Sequence, residues 1–179
     1  MVISMKPYRF AVFPSRLGWM GLVTAGKRDA VIQLTFGHPS AEAARVALDP
    51  EWLNEATRVA KNRFPLVSRL QAYASGFPDD FRDVCVEPKV GSRFRRRIWE
   101  QCRRIPYGST MGYAELARRA GYPKSARAVG GSMAANRIPL IVPCHRVVRS
   151  DGRIGAFSAP GGQAMKQRLL AMESNDDSP

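Results

Sequence analysis

The chain has 179 residues, 45% of them hydrophobic and 24% charged, and a formal net charge of +13. That length allows one ordinary domain or two small ones with a true core, and no apolar run approaches the roughly 20 residues that a membrane span needs. The charge is uneven: Lys89–Arg168 holds 17 lysines and arginines against Glu100, Glu115 and Asp151, a local +14, and the remainder sums to −1. Basic charge confined to one half is the electrostatic footprint of a polyanion partner, and it is favoured here over arginine added for solubility.

The first ten residues carry Lys6 and Arg9, and Arg16 breaks the next segment before a signal-like stretch develops. Three widely spaced cysteines, Cys85, Cys102 and Cys144, argue against a disulfide framework and for a reducing compartment. With His38 and His145 they form no metal-ligand spacing, and no metal or cofactor is expected. The expectation is a soluble intracellular protein.

The first half reads as mixed strand and helix. Tyr8–Phe13, Gly18–Val23 and Ala30–Phe36 are short aromatic and β-branched runs separated by turns, an antiparallel meander. Ser40 suits a helix cap, and 51–62 and 64–75 read as helices, the second stopped by Gly76-Phe77-Pro78. A linker is expected at Val86–Gly91, dividing an α/β domain, 1–88, from a second domain, 89–179.

Ser92 would cap a helix over Arg93–Ile105, with Phe94, Ile98, Cys102 and Ile105 as its apolar stripe. Cys102 is therefore expected in the core. Two further helices, Tyr113–Ala120 and Lys124–Ala134, are joined at Gly121-Tyr122-Pro123 in a helix-turn-helix pattern. The second is built almost wholly of small residues and contains Gly130-Gly131. Each glycine costs about 1 kcal/mol against alanine inside a helix. Close approach of a nucleic-acid groove or tight helix packing would each explain that cost. The last helix runs from about Gln163 to Glu173, with Met165, Leu169, Leu170 and Met172 apolar, and Ser174–Pro179 is a polar tail.

Chemistry concentrates at Pro143-Cys144-His145-Arg146-Val147, where a thiol stands beside one of only two histidines. A thiol attacks as thiolate, and at its ordinary pKa it is only a few per cent ionised at neutral pH, so a base or cation must activate it. The alternative for Cys144 is a buried structural cysteine.

Tyr113-Ala-Glu-Leu-Ala, Lys124-Ser-Ala-Arg127-Ala-Val-Gly-Gly, Asn136, Pro139-Leu-Ile-Val-Pro143-Cys144-His145-Arg146, Gly155 and Lys166…Glu173 follow in order. This pattern resembles the O6-alkylguanine-DNA alkyltransferases, also called methylated-DNA–protein-cysteine methyltransferases, over roughly Ser92–Ser174. The resemblance implies a ribonuclease-H-like α/β first domain supporting a mostly helical DNA-binding and alkyl-acceptor domain. It implies a monomer that binds double-stranded DNA containing O6-alkylguanine through the minor groove. Cys144 would take the alkyl group irreversibly, in one turnover and without a cofactor. The location implied is the cytoplasm, with the nucleoid, in a prokaryote and the nucleus in a eukaryote.

The roles carried over are specific. His145 would take the thiol proton, directly or through water, and Glu173 would orient it, although a carboxylate is mildly unfavourable at a helix C-terminus. Arg146 would brace this relay. Asn136, a plausible helix cap, would also hold the active-site loop. Arg127 would enter the base stack in place of an extruded guanine rather than merely contact a phosphate. Tyr113 would contact the phosphate or the flipped base. Ala126, Gly130, Gly131 and Met133 would line the DNA-facing helix, the small ones lying against the minor groove. Phe157 and Ser158 would close the pocket, and the backbone of Cys144 and Val147 would read the guanine edge. Phe157 stands where many relatives have tyrosine, and Ala159–Gly162 is longer than in some, which bears on pocket size.

Three rivals are distinguishable. A lesion sensor of the same fold lacks the acceptor cysteine. A redox-responsive DNA-binding regulator needs neither pocket nor glutamate. A cysteine hydrolase needs an oxyanion hole and leaves the basic half unexplained.

Overall fold

The computed structural model describes residues 8–60, 63–87 and 91–174. It divides into two compact units: Met1–Ser75 with Asp83–Lys89, and Gly76–Arg82 with Val90–Pro179. The division is therefore not a single cut, since residues 76–82 group with the second unit.

The first unit is built on a sheet of order β3-β2-β1-β4. Strands β1 (Tyr8–Ser15), β2 (Gly18–Ala25) and β3 (Ala30–His38) form the expected antiparallel meander. β2 lies between its neighbours and is buried from Met20 to Ala25. Helices α1 (Ala41–Val46), α2 (Pro50–Asn54) and α3 (Pro65–Ala74) complete the unit. Ser40 caps α1, its hydroxyl accepting from the Ala43 amide at 3.1 Å. Val23, Ala25 and Ile32 of the sheet pack with Leu48 and Trp52.

Two expectations fail in this unit. The helix expected over 51–62 stops at Asn54, and Ala56–Arg58 forms β4, parallel to β1; residues 61 and 62 lie outside the described ones. The β1 edge offers ladder hydrogen bonds, and β-branched Thr57 and Val59 suit it, the Val59 amide donating to the Phe10 carbonyl at 2.9 Å. The supposed linker also begins inside the fold. Val86 bridges to Val31, whose amide donates to the Cys85 carbonyl at 2.8 Å and whose carbonyl accepts from Glu87 at 2.9 Å.

The second unit contains α4 (Arg93–Cys102), α5 (Tyr113–Arg119), α6 (Ala126–Ala134) and α7 (Gly162–Ser174). A two-residue ladder joins β5 (Met111–Gly112) in parallel to β6 (Val147–Val148). Ser92 caps α4 by accepting from the Arg95 amide at 3.3 Å. The helix ends at Cys102 rather than Ile105, although Ile98, Cys102 and Ile105 are all buried. Phe94 is only half-buried and meets the Tyr122 ring edge-on at 4.7 Å. Trp99, absent from the expected stripe, is buried, and its indole donates to the Ser132 carbonyl at 2.9 Å, tying α4 to α6. α6 begins two residues later than expected because Lys124 adopts a left-handed φ of 72°.

Residues 76–82 attach to this unit through their backbone. The Tyr107 hydroxyl donates to the Gly76 carbonyl at 3.3 Å, and Arg103 donates to the Phe81 carbonyl at 2.8 Å.

Candidate active site

Four pieces of chain converge on Cys144. The apolar run Ile138–Val142 is buried except for half-buried Pro139, and Leu140 turns it with a φ of 70°. This burial delivers Cys144–Arg146 as a single 3-10 turn closed by the Arg146 amide donating to the Pro143 carbonyl at 2.9 Å. Val147–Val148 then pairs with Met111–Gly112, which places Tyr113, the first residue of α5, beside the thiol turn.

Asn136 locks the end of α6 to that turn. Its side-chain oxygen accepts from the Ile138 amide at 3.0 Å. Its amide nitrogen donates to the Val142 carbonyl at 2.8 Å and to Cys144 Sγ at 3.1 Å. The same side chain is thus a scaffold brace and a donor to sulfur.

The buried face of α7 consists of Lys166, Leu169 and Glu173. Met165, Leu170 and Met172, expected as its apolar face, are only half-buried. Charged groups take the core face because each is held. Arg146 Nε donates to both Glu173 oxygens at 3.2 and 2.9 Å, Nη2 donates to Oε1 at 2.8 Å, and Nη1 donates to the Ile105 carbonyl at 2.8 Å. His145 Nε2 lies 2.9 Å from Glu173 Oε1, and the Gly108 amide donates to Oε2 at 3.3 Å. Gly108 has a φ of 72°, and a Cβ there would sit 2.9 Å from the Glu173 carbonyl oxygen, so glycine permits this turn to close on α7.

Burial pushes the Glu173 carboxyl up, but hydrogen bonds from His145 and Arg146 and their charges outweigh it and hold the group at about 2. An ionised carboxylate only accepts, so Nε2 bears the proton in the neutral imidazole and Nδ1 is its basic nitrogen. Burial pulls the His145 ring below its ordinary pKa, against the opposing pull of Glu173. The resting imidazole is therefore a neutral, oriented base.

Burial likewise pushes the Cys144 thiol up, and the Asn136 hydrogen bond, the Lys166 ammonium and nearby backbone amides oppose that rise. Lys166 is buried, donates to the Val147 carbonyl at 2.6 Å and lies 6.0 Å from the Tyr113 ring centroid. In the sequence Lys166 is only one member of a motif. Its signal was present, since it shares a helical face with Leu169 and Glu173 at spacings of three and seven.

A cavity of about 820 Å³ opens at Cys144 and is lined by Tyr113, Ala126, Arg127, Gly130, Met133, Phe157 and Ser158, and also by Arg149, Ser150 and Gly155. Seven of the expected binding residues thus line one cavity with the thiol. Arg146 and Val147 do not line it: the first is buried against Glu173, and the second turns its carbonyl to Lys166. Gly131 is exposed and lies outside the lining. Arg149 and Ser150 join the lining without a local sequence signal. Gly155 is close to Tyr113, since an added Cβ would fall 2.6 Å from the tyrosine oxygen. Among the described residues, and leaving α6's own backbone aside, an added Cβ at Gly130 or Gly131 would meet nothing within 4 Å. Internal helix packing therefore does not explain this glycine pair.

The family model for the DNA-binding domain of 6-O-methylguanine DNA methyltransferase matches residues 93–175. The methylated-DNA–protein-cysteine methyltransferase of Mus musculus is 37% identical over 172 residues, covering 92% of this chain and 81% of that protein. Its counterpart in Methanosarcina acetivorans is 32% identical, covering 93% and 98%. Among solved structures, OGT from Mycobacterium tuberculosis in complex with DNA matches with a TM-score of 0.71 and 30% identity, covering 93% of this chain and 92% of that one. The likeness runs through both units, and the site lies in the second: the chain belongs to the methylated-DNA–protein-cysteine methyltransferase family.

Proposed function

We infer that this protein repairs DNA directly by moving an alkyl group from guanine O6 in a duplex onto Cys144. The observation that carries the reading is the thiol at the base of a cavity, in the residue before a histidine whose far nitrogen is held by a buried, ionised glutamate.

The chemistry follows from that arrangement. Entry of an alkylated base would let the basic His145 nitrogen accept the thiol proton, directly or through water, while Glu173, held in place by Arg146, stabilises the imidazolium. Sulfur then forms a bond to the alkyl carbon as the O6–carbon bond breaks. The electron pair stays on the guanine, which takes back a proton. The thioether so formed has no good leaving group, so water cannot regenerate the thiol and each molecule acts once.

A base inside a duplex is out of reach of this thiol, and extrusion costs a few kcal/mol. Arg127 is exposed at the cavity wall, suited to fill the vacated stack, and Tyr113 is suited to hold the flipped nucleotide. The open space at Gly130 and Gly131 supports close approach of α6 to the minor groove, with α5 and α6 as a helix-turn-helix. The first unit's mixed sheet fits the ribonuclease-H-like support expected for it, and the protein is proposed to act as a monomer.

Incubation with duplex carrying O6-methylguanine, followed by mass spectrometry, tests the reading. One methyl mass on the Cys144 peptide, capped at one per molecule and absent from Cys144→Ala, is expected. Continuous turnover, or no transfer, would overturn it. The presence of Cys144 itself counts against the non-catalytic sensor.

A further inference from the structure

A second cavity, of about 550 Å³, is lined by Arg149, Gly152, Arg153, Ile154, Gln163 and Gln167. It shares Arg149 with the cavity at Cys144. A tight turn builds its mouth. The Arg149 amide donates to the Arg153 carbonyl at 3.1 Å, the Gly152 amide donates to the Arg149 carbonyl at 3.0 Å, and Gly152 has a φ of 74°. Backbone pairing thereby sets residues 149 and 153 across the turn from one another. On the facing wall, Gln163 Nε2 donates to the Ile154 carbonyl at 3.2 Å, and Gln167 follows one helical turn later on α7.

Among the described residues the lining contains two guanidinium groups, two carboxamides and no carboxylate. Asp151, at the tip of the turn, pairs with Arg153 at 2.6 Å and more loosely with Arg149 at 3.6 Å. One net positive charge remains. That balance matches a phosphodiester, which carries one negative charge, better than a free phosphate or monoester, which carries nearly two at neutral pH. Guanidinium forks suit phosphate oxygens in pairs.

We propose that this cavity holds a backbone phosphodiester of the DNA strand whose alkylated base occupies the cavity at Cys144, with Arg149 between the two. The proposal rests on the repair reading above. It assigns Arg153, Gln163 and Gln167, which touch no part of the thiol cavity, to strand positioning.

The test is the salt dependence of binding to a duplex containing O6-methylguanine, followed by fluorescence anisotropy. Removal of one phosphate contact should reduce the slope of log K against log salt by about 0.9. Arg153→Gln should therefore weaken binding severalfold at low salt and shrink the slope by about one, whereas Arg153→Lys keeps the slope. Thermal midpoints of both variants check folding. An unchanged slope in a folded Arg153→Gln protein overturns the proposal. So does saturable binding of inorganic phosphate at low millimolar concentration that disappears in Arg153→Gln, because the site would then serve a free anion. Methyl transfer by the wild-type protein is read on the same duplex: its failure sinks the repair reading, whereas an unchanged slope with transfer intact sinks only this assignment.

Discussion

The buried relay and the exposed face of α6 are built on opposite principles. Around Glu173 every charge is answered from within: His145, Arg146 and the Gly108 amide converge on one carboxylate, and Lys166 is capped by the Val147 carbonyl. On α6, Arg127 and Gly131 are exposed, and the two glycines face open space. A helix that loses about 1 kcal/mol per glycine without internal packing in return is shaped for something outside the molecule. The first region is complete as folded; in the proposed repair function the second is completed by DNA.

The largest effect that would break this contrast is at Glu173. Glu173→Gln removes the carboxylate that answers buried Arg146, and an uncompensated buried charge costs about 3–5 kcal/mol. Urea unfolding should show that loss, and methyl transfer should slow by at least two orders of magnitude. Wild-type stability in the variant would mean that the relay is not a closed network.

Next is Arg127→Ala. Transfer from duplex should slow at least tenfold more than transfer from a free O6-alkylguanine base, measured as single-turnover rates, because only the duplex requires extrusion. Equal slowing would place Arg127 in the chemistry instead.

Gly131→Ala separates the two regions most cleanly. Alanine meets nothing within 4 Å, so the free protein should gain up to about 1 kcal/mol in unfolding experiments while duplex affinity falls. A gain in stability with unchanged affinity would remove α6 from the DNA face.

A further test is stability against pH. His145 has a folded pKa below its ordinary 6.5, so between the two values the unfolded chain binds more protons and stability falls as pH drops below about 6.5. Glu173 is also depressed, from 4.5 to about 2, so its contribution is full above 4.5 and disappears towards 2. Denaturation midpoints at pH 7, 5.5 and 4 should decline in that order, and His145→Gln should flatten the first step.

Much of the site was legible in the chain. Cys144 beside His145, the basic second half, the glycine pair and the motif around Asn136 are local patterns, and local patterns survive without coordinates. The three strands and the caps at Ser40 and Ser92 were readable because turn chemistry and side-chain period act over a few residues. The strand at Ala56–Arg58 was not, because its reason is the β1 edge, some fifty residues away. Nor was the burial of Lys166 and Glu173, since a charged residue enters a core only when distant partners meet it.

The sequence by itself determined the reacting group, its basic setting and the family. Tertiary structure alone decided that α7 presents Lys166 towards the thiol turn and Glu173 towards the histidine. It also decided that, among the described residues, nothing lies within 4 Å of where a Cβ at Gly130 or Gly131 would sit, and that Arg149 borders two cavities. Those facts depend on which chain segments lie side by side, and hydrogen bonds and desolvation act through space rather than along the chain.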